Sequence, residues 1–235
     1  MTKKLLNLKK PFARGSEHIV CESHDDDESV YKIPFAWWHS KGANELKSEM
    51  DILQNHGVPI LETEVIDSTS VLIENEVQNP PYIIRQIRTN LPTLNTTHLQ
   101  VHCIRSQLSR LLQLSVDLFR EKNIAIDFLG AEAMVGLMKY FISPSYPLHV
   151  HNFRLNDKAE ILLSDTGMLR PEKCKPGLQW GICEIINLQH YLIEGVLQTL
   201  DNEFKLKNFD PSLLVRFTGF SMLTATSVWS NFKTN

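Results

Sequence analysis

The sequence changes character near residue 90, and this change constrains the fold more than any single motif does. Before it, five runs rich in β-forming residues are bounded by turn residues: 12–22, 29–35, 61–67, 70–77 and 81–88. One amphipathic helix pattern, at 43–57, lies among them. Later patterns are mainly helical, at 97–122, 131–142, 178–204 and after Pro211. We therefore predict an α+β protein, with a five-stranded antiparallel sheet and one helix in residues 1–90 and a mainly helical region in residues 91–235.

The composition of the 235-residue chain is typical of a globular protein, with 43% hydrophobic and 22% charged residues. Its formal net charge of -3 lacks the excess of Lys and Arg that favours nucleic acid, so we expect no nucleic-acid partner. No run of about 18 apolar residues could span a membrane, and the start of the chain has too little apolar sequence for a signal peptide. The four cysteines form no CxxC pair. We expect a cytoplasmic protein with reduced thiols and no membrane partner.

Residues 151–166, "HNFRLNDKAEILLSDT", are predicted to form a hairpin with polar residues at both ends. Asn152 lies near its start, and Asp165 follows the hydrophobic run "ILLS". When the strands pair, the two side chains come to the same edge. Carboxylate and amide oxygens, completed by phosphate oxygens and water, are ligands that Mg²⁺ accepts. The alternative is structural: Asp165 closes the hairpin as an Asx turn, and Asn152 begins it.

The first region contains a lysine that is a candidate for binding phosphate and two carboxylates that could orient it. Lys32, in "VYKI", lies on a predicted strand, where its ammonium group could reach a nucleotide. The following helix offers Glu45 and Glu49 as carboxylates that could orient Lys32. We prefer Glu49, because it lies beside the apolar stripe and therefore faces inward. The simpler alternatives are an edge-strand charge for Lys32 and a surface position for Glu49.

In their order along the chain, these segments resemble the protein-kinase-like superfamily, which includes aminoglycoside and choline phosphotransferases and atypical bacterial-type kinases. The segment "VYKI" resembles its lysine strand, "SEMDILQNHGVP" its glutamate helix and "YIIRQIRTN" its hinge. The segment "NFRLNDKAEILLSDTG" is similar to the stretch from its catalytic-loop Asn to its Asp-Phe-Gly motif, with Thr166 at the middle position. The resemblance extends to about residue 200.

The resemblance implies a two-lobed fold, with an N-lobe in residues 1–90, a helical C-lobe in residues 91–235, and ATP with Mg²⁺ bound between them. Lys32 would contact the α and β phosphates and Glu49 would orient it, while Asn152 and Asp165 would hold Mg²⁺. The implied activity is phosphoryl transfer to a hydroxyl. Since no long activation segment is visible after Asp165, a small-molecule acceptor is better supported than a protein.

The chain departs from the family pattern at two places. The glycine-rich loop over the phosphates is reduced to Gly15 and Ser16, whose backbone N–H groups could still point at phosphate. The family's catalytic Asp, five residues before the Asn, is replaced by Pro147. We take Asp127 as the substitute base, with residues 131–150 as an inserted helix and loop. The alternative bases are His149 and His151, whose ordinary pKa lies near neutrality.

These departures leave three functional hypotheses. The first is an ATP- and Mg²⁺-dependent phosphotransferase acting on a hydroxyl. The second is a pseudokinase, a nucleotide-binding or protein-interaction module that transfers no phosphate. The third is a structural protein in which the order of motifs is coincidental.

Overall fold

The computed structural model describes residues 5–15, 17–35, 41–67, 69–130, 149–165 and 167–201. Its strands are β1 (Leu5–Leu8), β2 (Ala13–Arg14), β3 (His18–Glu22), β4 (Ser29–Pro34), β5 (Thr63–Asp67), β6 (Ser70–Ile73), β7 (Glu76–Gln78), β8 (Tyr82–Ile87), β9 (Thr93–Asn95), β10 (Ala125–Ile126), β11 (His149–Leu155), β12 (Ile161–Leu163) and β13 (Met168–Leu169). Its α-helices are α1 (Ala43–Asn55), α2 (His102–Lys122) and α3 (Gln179–Leu200). The predicted α+β class, rich in antiparallel sheet, is confirmed.

The largest sheet is antiparallel and has the strand order β2-β3-β4-β8-β5. Strand β4 alternates: Tyr31 and Ile33 are buried in a cluster with residues of β1, β6 and β8, whereas Lys32 points to the opposite face. Ile84, the β8 neighbour of Lys32, is buried beneath α1 with Leu46. Lys32 therefore lies on the face of the sheet that α1 covers.

The sheet has five strands, as predicted, but their identities differ from the prediction. The run 70–77, expected as one of the five, instead forms β6 and β7, which join β1 in a separate sheet. Glu74 and Asn75 adopt positive φ angles of 49° and 70°, so the chain reverses between β6 and β7. The missing strand is supplied by β2, because the run 12–22 breaks into β2 and β3 at the turn that begins at Gly15.

Helices α2 and α3 pack together over the main hydrophobic core. This core includes Leu108 and Leu112 of α2 and Ile193 and Leu197 of α3. Helix α2 begins five residues later than predicted because residues 98–100 form a short 3-10 turn, and extended Val101 separates that turn from α2. The helices predicted at 131–142 and after Pro211 lie outside the described residues.

Two small sheets lie next to this core. Strand β11 pairs antiparallel with both β9 and β12, which confirms the hairpin predicted from residue 151 onward. Strands β10 and β13 form an antiparallel pair, in which Ile126 lies opposite Met168. None of the helices in the described ranges is long and apolar enough to cross a membrane.

Candidate functional site

The β10–β13 pair brings two of the predicted site residues together. Asp127 directly follows β10, and Asp165 lies three residues before β13. Because the strands are antiparallel and Ile126 lies opposite Met168, the end of β10 adjoins the start of β13. Residues separated by 38 positions in the sequence therefore lie at the same end of a short ladder.

Asp127 is half-buried and electrostatically perturbed. Its Oδ1 accepts a hydrogen bond from the Gly130 backbone N at 2.9 Å. Burial raises the pKa of Asp127 to about 7, and the negative charges of Asp165 and Glu17 act in the same direction. This carboxyl group therefore changes its protonation state near neutral pH, which is the property required of a general base.

Asn152 connects the Asp127 loop to the β11–β12 hairpin. Its Nδ2 donates to the Asp127 backbone O at 2.9 Å, and its backbone O accepts from the Ser164 backbone N at 2.8 Å. Gly130 has a φ of +64°, and a Cβ built there would lie only 3.1 Å from Asn152 Oδ1. Glycine at this position therefore permits both the turn and the close approach of Asn152.

Buried polar side chains of α2 and α3 form hydrogen bonds with the backbone on both sides of Asp127. Gln189 Oε1 accepts hydrogen bonds from the backbone N of Phe128 at 2.8 Å and of Leu129 at 3.1 Å. Ser115 Oγ accepts from the Ile126 backbone N at 3.0 Å and lies 2.8 Å from His190 Nε2. Burial lowers the pKa of His190 to about 4, so the imidazole is neutral at pH 7. The backbone on both sides of Asp127 is thus held by the helices.

Lys32 reaches this site from the large sheet. Its Nζ donates to the backbone O of Ser164 at 3.0 Å, and Gln86 Nε2 donates to the same oxygen at 2.9 Å. Ser164 directly precedes Asp165. The predicted phosphate-binding Lys and the predicted metal-binding Asp are therefore brought close together.

Glu49 is buried, as its predicted inward orientation requires, but its partner is different from the predicted one. Its side chain is 0% exposed, and its Oε2 accepts from Lys41 Nζ at 3.2 Å and from the Met168 backbone N at 3.0 Å. Arg170 Nε lies 3.5 Å from Glu49 Oε1. Among the described residues, Glu49 forms its ion pairs with Lys41 and Arg170, and the expected pair with Lys32 is absent.

The position of Lys41 explains this difference. It precedes α1 by two residues, and its buried Nζ also donates to the Met168 backbone O. Lys32 is held instead by Ser164 O. Burial raises the pKa of Glu49, and the nearby charge of Lys41 opposes that effect. Glu45, the other candidate, accepts from the Gly42 backbone N at 3.1 Å and pairs with Lys173, so it stabilises the start of α1.

The reduced phosphate loop forms the turn between β2 and β3. The Gly15 backbone N donates to the His18 backbone O at 2.8 Å, so this N–H is used within the turn and not directed at a ligand. Ser16 lies outside the described residues. The alternative bases, His149 and His151, are half-buried on β11, with ring centroids 5.7 Å apart.

Sequence reasoning missed three residues that shape the site. Glu17 comes from the turn after Gly15; a Cβ on Gly167 would lie 3.6 Å from Glu17 Oε2 and 3.7 Å from Asp165 Oδ1. Lys41 and Gln189 were also missed. The only signal for Glu17 was its place beside the predicted phosphate loop, whereas no motif marks Lys41 or Gln189.

The oxygen donors fit a hard cation better than a soft one. Asn152 Nδ2 is committed to Asp127 O, which leaves Oδ1 as the acceptor, and Asp165 supplies a carboxylate. Within the described part of the chain, no group of three or more His, Cys, Asp and Glu side chains could hold a metal ion. Any cation held by Asn152 and Asp165 would take its other ligands from water or from a bound molecule.

Comparisons with known proteins add no family assignment. No protein-family model matches the chain, and no curated protein matches it.

We predict that Lys41→Met lowers the free energy of unfolding by about 3–5 kcal/mol, because it leaves the Glu49 carboxylate without its closest cation in a buried site. The matched control is Lys10→Met, which removes the exposed ion pair with Glu74 and should change stability by less than about 1 kcal/mol. Urea denaturation measures both. Equal effects of the two substitutions would contradict the importance of the buried pair.

We also predict a pH dependence of stability that originates at Asp127. Its pKa rises from 3.8 to about 7 on folding, so the folded state binds the extra proton between these values. Stability should therefore fall as pH rises from about 4 to 7, on the order of 2–4 kcal/mol. Asp127→Asn should remove this slope, whereas Asp157→Asn, in an exposed turn, should retain it. Denaturant titrations at several pH values test this; parallel curves for wild type and Asp127→Asn would refute the assignment.

Proposed function

We propose that the chain is an ATP- and Mg²⁺-dependent phosphotransferase with a two-lobed kinase-like fold, acting on a hydroxyl of a small acceptor. The proposed lobes are residues 1–90 and 91–235. The observation that carries the proposal is the convergence of Asp127, Asn152 and Asp165 at adjoining strand ends, with Lys32 bonded to the residue before Asp165. Phosphoryl transfer needs a cation at the phosphates, oxygen ligands for Mg²⁺ and a base for the attacking hydroxyl, and these residues offer a candidate for each.

In this proposal Lys32 binds the nucleotide phosphates. The carbonyl of Ser164 orients its ammonium group, in place of the carboxylate that the family resemblance implies. Asn152 and Asp165 would hold Mg²⁺, which neutralises negative charge on the phosphates when bound. The role of Glu49 becomes structural: it fixes the backbone of Met168, and through it the segment that carries Asp165.

Asp127 is the proposed general base. A carboxyl group with a pKa near 7 can accept the proton of an acceptor hydroxyl at physiological pH. Its orientation is set by the Gly130 backbone N, and its loop is fixed by Asn152 and Gln189. Asp127 therefore lies on a loop that hydrogen bonds hold in place. A general base needs such a fixed position to accept a proton from a substrate hydroxyl.

A pseudokinase is the second candidate, and two observations favour it. The Gly15 N–H is used within its own turn, so the loop offers one less donor to phosphate. The separation between Asp127 and Asn152 in the sequence is also much longer than the five residues that separate the base from the Asn in the family. In that case the chain would bind a nucleotide, or a partner protein, without transferring phosphate. The cytoplasmic location and the lack of a nucleic-acid partner remain predictions from composition.

We expect millimolar ATP with Mg²⁺ to raise the melting temperature of the wild-type protein, because a ligand that binds only the folded state stabilises it. Lys32→Ala and Asp165→Asn should lose most of this shift. Lys158→Ala, in the exposed hairpin turn, is the matched control and should keep it. A wild-type protein that shows no shift at millimolar ATP would refute both the phosphotransferase and a nucleotide-binding pseudokinase.

If the protein is an enzyme, Asp127→Asn should reduce ATP turnover roughly 10²–10⁴-fold, because it removes the base but keeps an oxygen for the Gly130 N–H. The wild-type rate should rise with pH through about 7, as Asp127 loses its proton. His151→Gln should leave the rate unchanged. Unchanged turnover in Asp127→Asn would show that Asp127 is not the base, while nucleotide binding without turnover in the wild type would identify a pseudokinase.

A further inference from the structure

Glu17 is a carboxylate that the proposed chemistry does not use, although it lies beside Asp165. A Cβ built on Gly167 would lie 3.6 Å from Glu17 Oε2 and 3.7 Å from Asp165 Oδ1. The two carboxylates therefore approach the same small volume from separate parts of the chain, the turn before β3 and the segment before β13. Glu17 is half-buried in this position. Its negative charge is thus placed next to a residue that we assign to Mg²⁺.

The ionisation of neighbouring groups agrees with this placement of Glu17. After burial, the negative charges of Asp165 and Glu17 are the causes that raise the pKa of Asp127. Tyr82, which is buried at the start of β8, has a pKa that is raised first by its burial and then by the charge of Glu17. The Glu17 carboxylate therefore acts on groups at the start of β8 and at the end of β10, on two sides of the proposed site.

The backbone around Glu17 is held by the large sheet. The Phe35 backbone N donates to Glu17 O at 2.9 Å, and the Gly15 backbone N donates to His18 O at 2.8 Å. His18, the next residue, is buried, and its Nε2 lies 3.0 Å from Tyr82 Oη. The turn therefore holds Glu17 at the site with little backbone freedom, and a ligand that binds there would meet its charge.

A phosphate group bound at Asp165 would come close to this charge. Mg²⁺ holds its oxygen ligands at about 2.0–2.1 Å, so a phosphate oxygen on the same ion as Asp165 lies at most about 4 Å from the aspartate oxygen. Negative charges separated by a few ångströms repel each other, unless a cation lies between them. Backbone N–H groups in a phosphate-binding turn attract the ligand, whereas the Glu17 carboxylate does the opposite.

We infer that Glu17 determines which form of the nucleotide the site accepts, disfavouring a polyphosphate without a divalent cation and accepting its Mg²⁺ complex; this inference rests on the proposed function. A polyphosphate alone brings only negative charge to a site that already contains the carboxylates of Asp165 and Glu17. The Mg²⁺ complex is less negative and places a cation between those carboxylates and the phosphates. Repulsion of the wrong ligand is a common source of specificity.

Binding of ATP with and without Mg²⁺ tests this role. Calorimetric titrations at one ionic strength would measure MgATP, and ATP in the presence of EDTA. Glu17→Gln keeps the size of the side chain but removes its charge, so it should tighten binding of metal-free ATP roughly 5- to 50-fold and change MgATP affinity by less than about 3-fold. Glu17→Asp keeps the charge and should retain most of the wild-type preference. Glu28→Gln removes an exposed carboxylate at the other end of β3 and β4; it is the matched control and should bind both ligands as wild type does.

The inference is overturned if Glu17→Gln leaves the affinity for metal-free ATP unchanged, or if it tightens both ligands equally. Weaker binding of MgATP to Glu17→Gln would also overturn it, and would identify Glu17 as a ligand of Mg²⁺. In each of these cases the proposed nucleotide site itself would stand. If neither wild type nor Glu17→Gln binds either ligand, the proposed function is refuted and the inference with it.

Discussion

The buried carboxylate of Glu49 is the interaction on which the rest of the site depends. Glu49 belongs to α1, and its carboxylate accepts a hydrogen bond from the Met168 backbone N and forms ion pairs with Lys41 and Arg170. A charge in this environment is strongly destabilising unless it is paired and hydrogen-bonded, so these partners have little freedom to move. Fixing Met168 fixes β13, and β13 in turn holds β10 and the aspartate that follows it.

The second constraint is the polar network around Asn152. Its amide bonds the loop of Asp127, and its carbonyl bonds both the backbone N and the hydroxyl of Ser164. Ser164 O then accepts Lys32 and Gln86 from the large sheet. The β11–β12 hairpin is therefore hydrogen-bonded both to the Asp127 loop and to the large sheet. Such a network positions polar groups because each buried member needs its partner.

The strands and helices could be predicted from the sequence better than the contacts between them. Hydrophobic alternation identified the β11–β12 hairpin, and the apolar stripe of α1 identified Glu49 as inward-facing, because both are local patterns. The choice of Lys41 instead of Lys32 depends on how the chain enters α1 relative to β13, which no local pattern reports. The parallel pairing of β1 with β6 and the support of the Asp127 loop by Gln189 likewise depend on contacts between residues about sixty or more positions apart.

The hairpin ends on Asp165, whose carboxylate lies near those of Asp127 and Glu17. Burial raises the pKa of Asp127, and repulsion by the negative charges of Asp165 and Glu17 raises it further. Binding a proton to Asp127 relieves the repulsion in the free protein. A bound cation would relieve the same repulsion without the proton, and would leave Asp127 ionised and able to accept one from a substrate. The raised pKa of Asp127 therefore has two causes, its burial and the negative charges of Asp165 and Glu17 near the adjoining ends of β10 and β13.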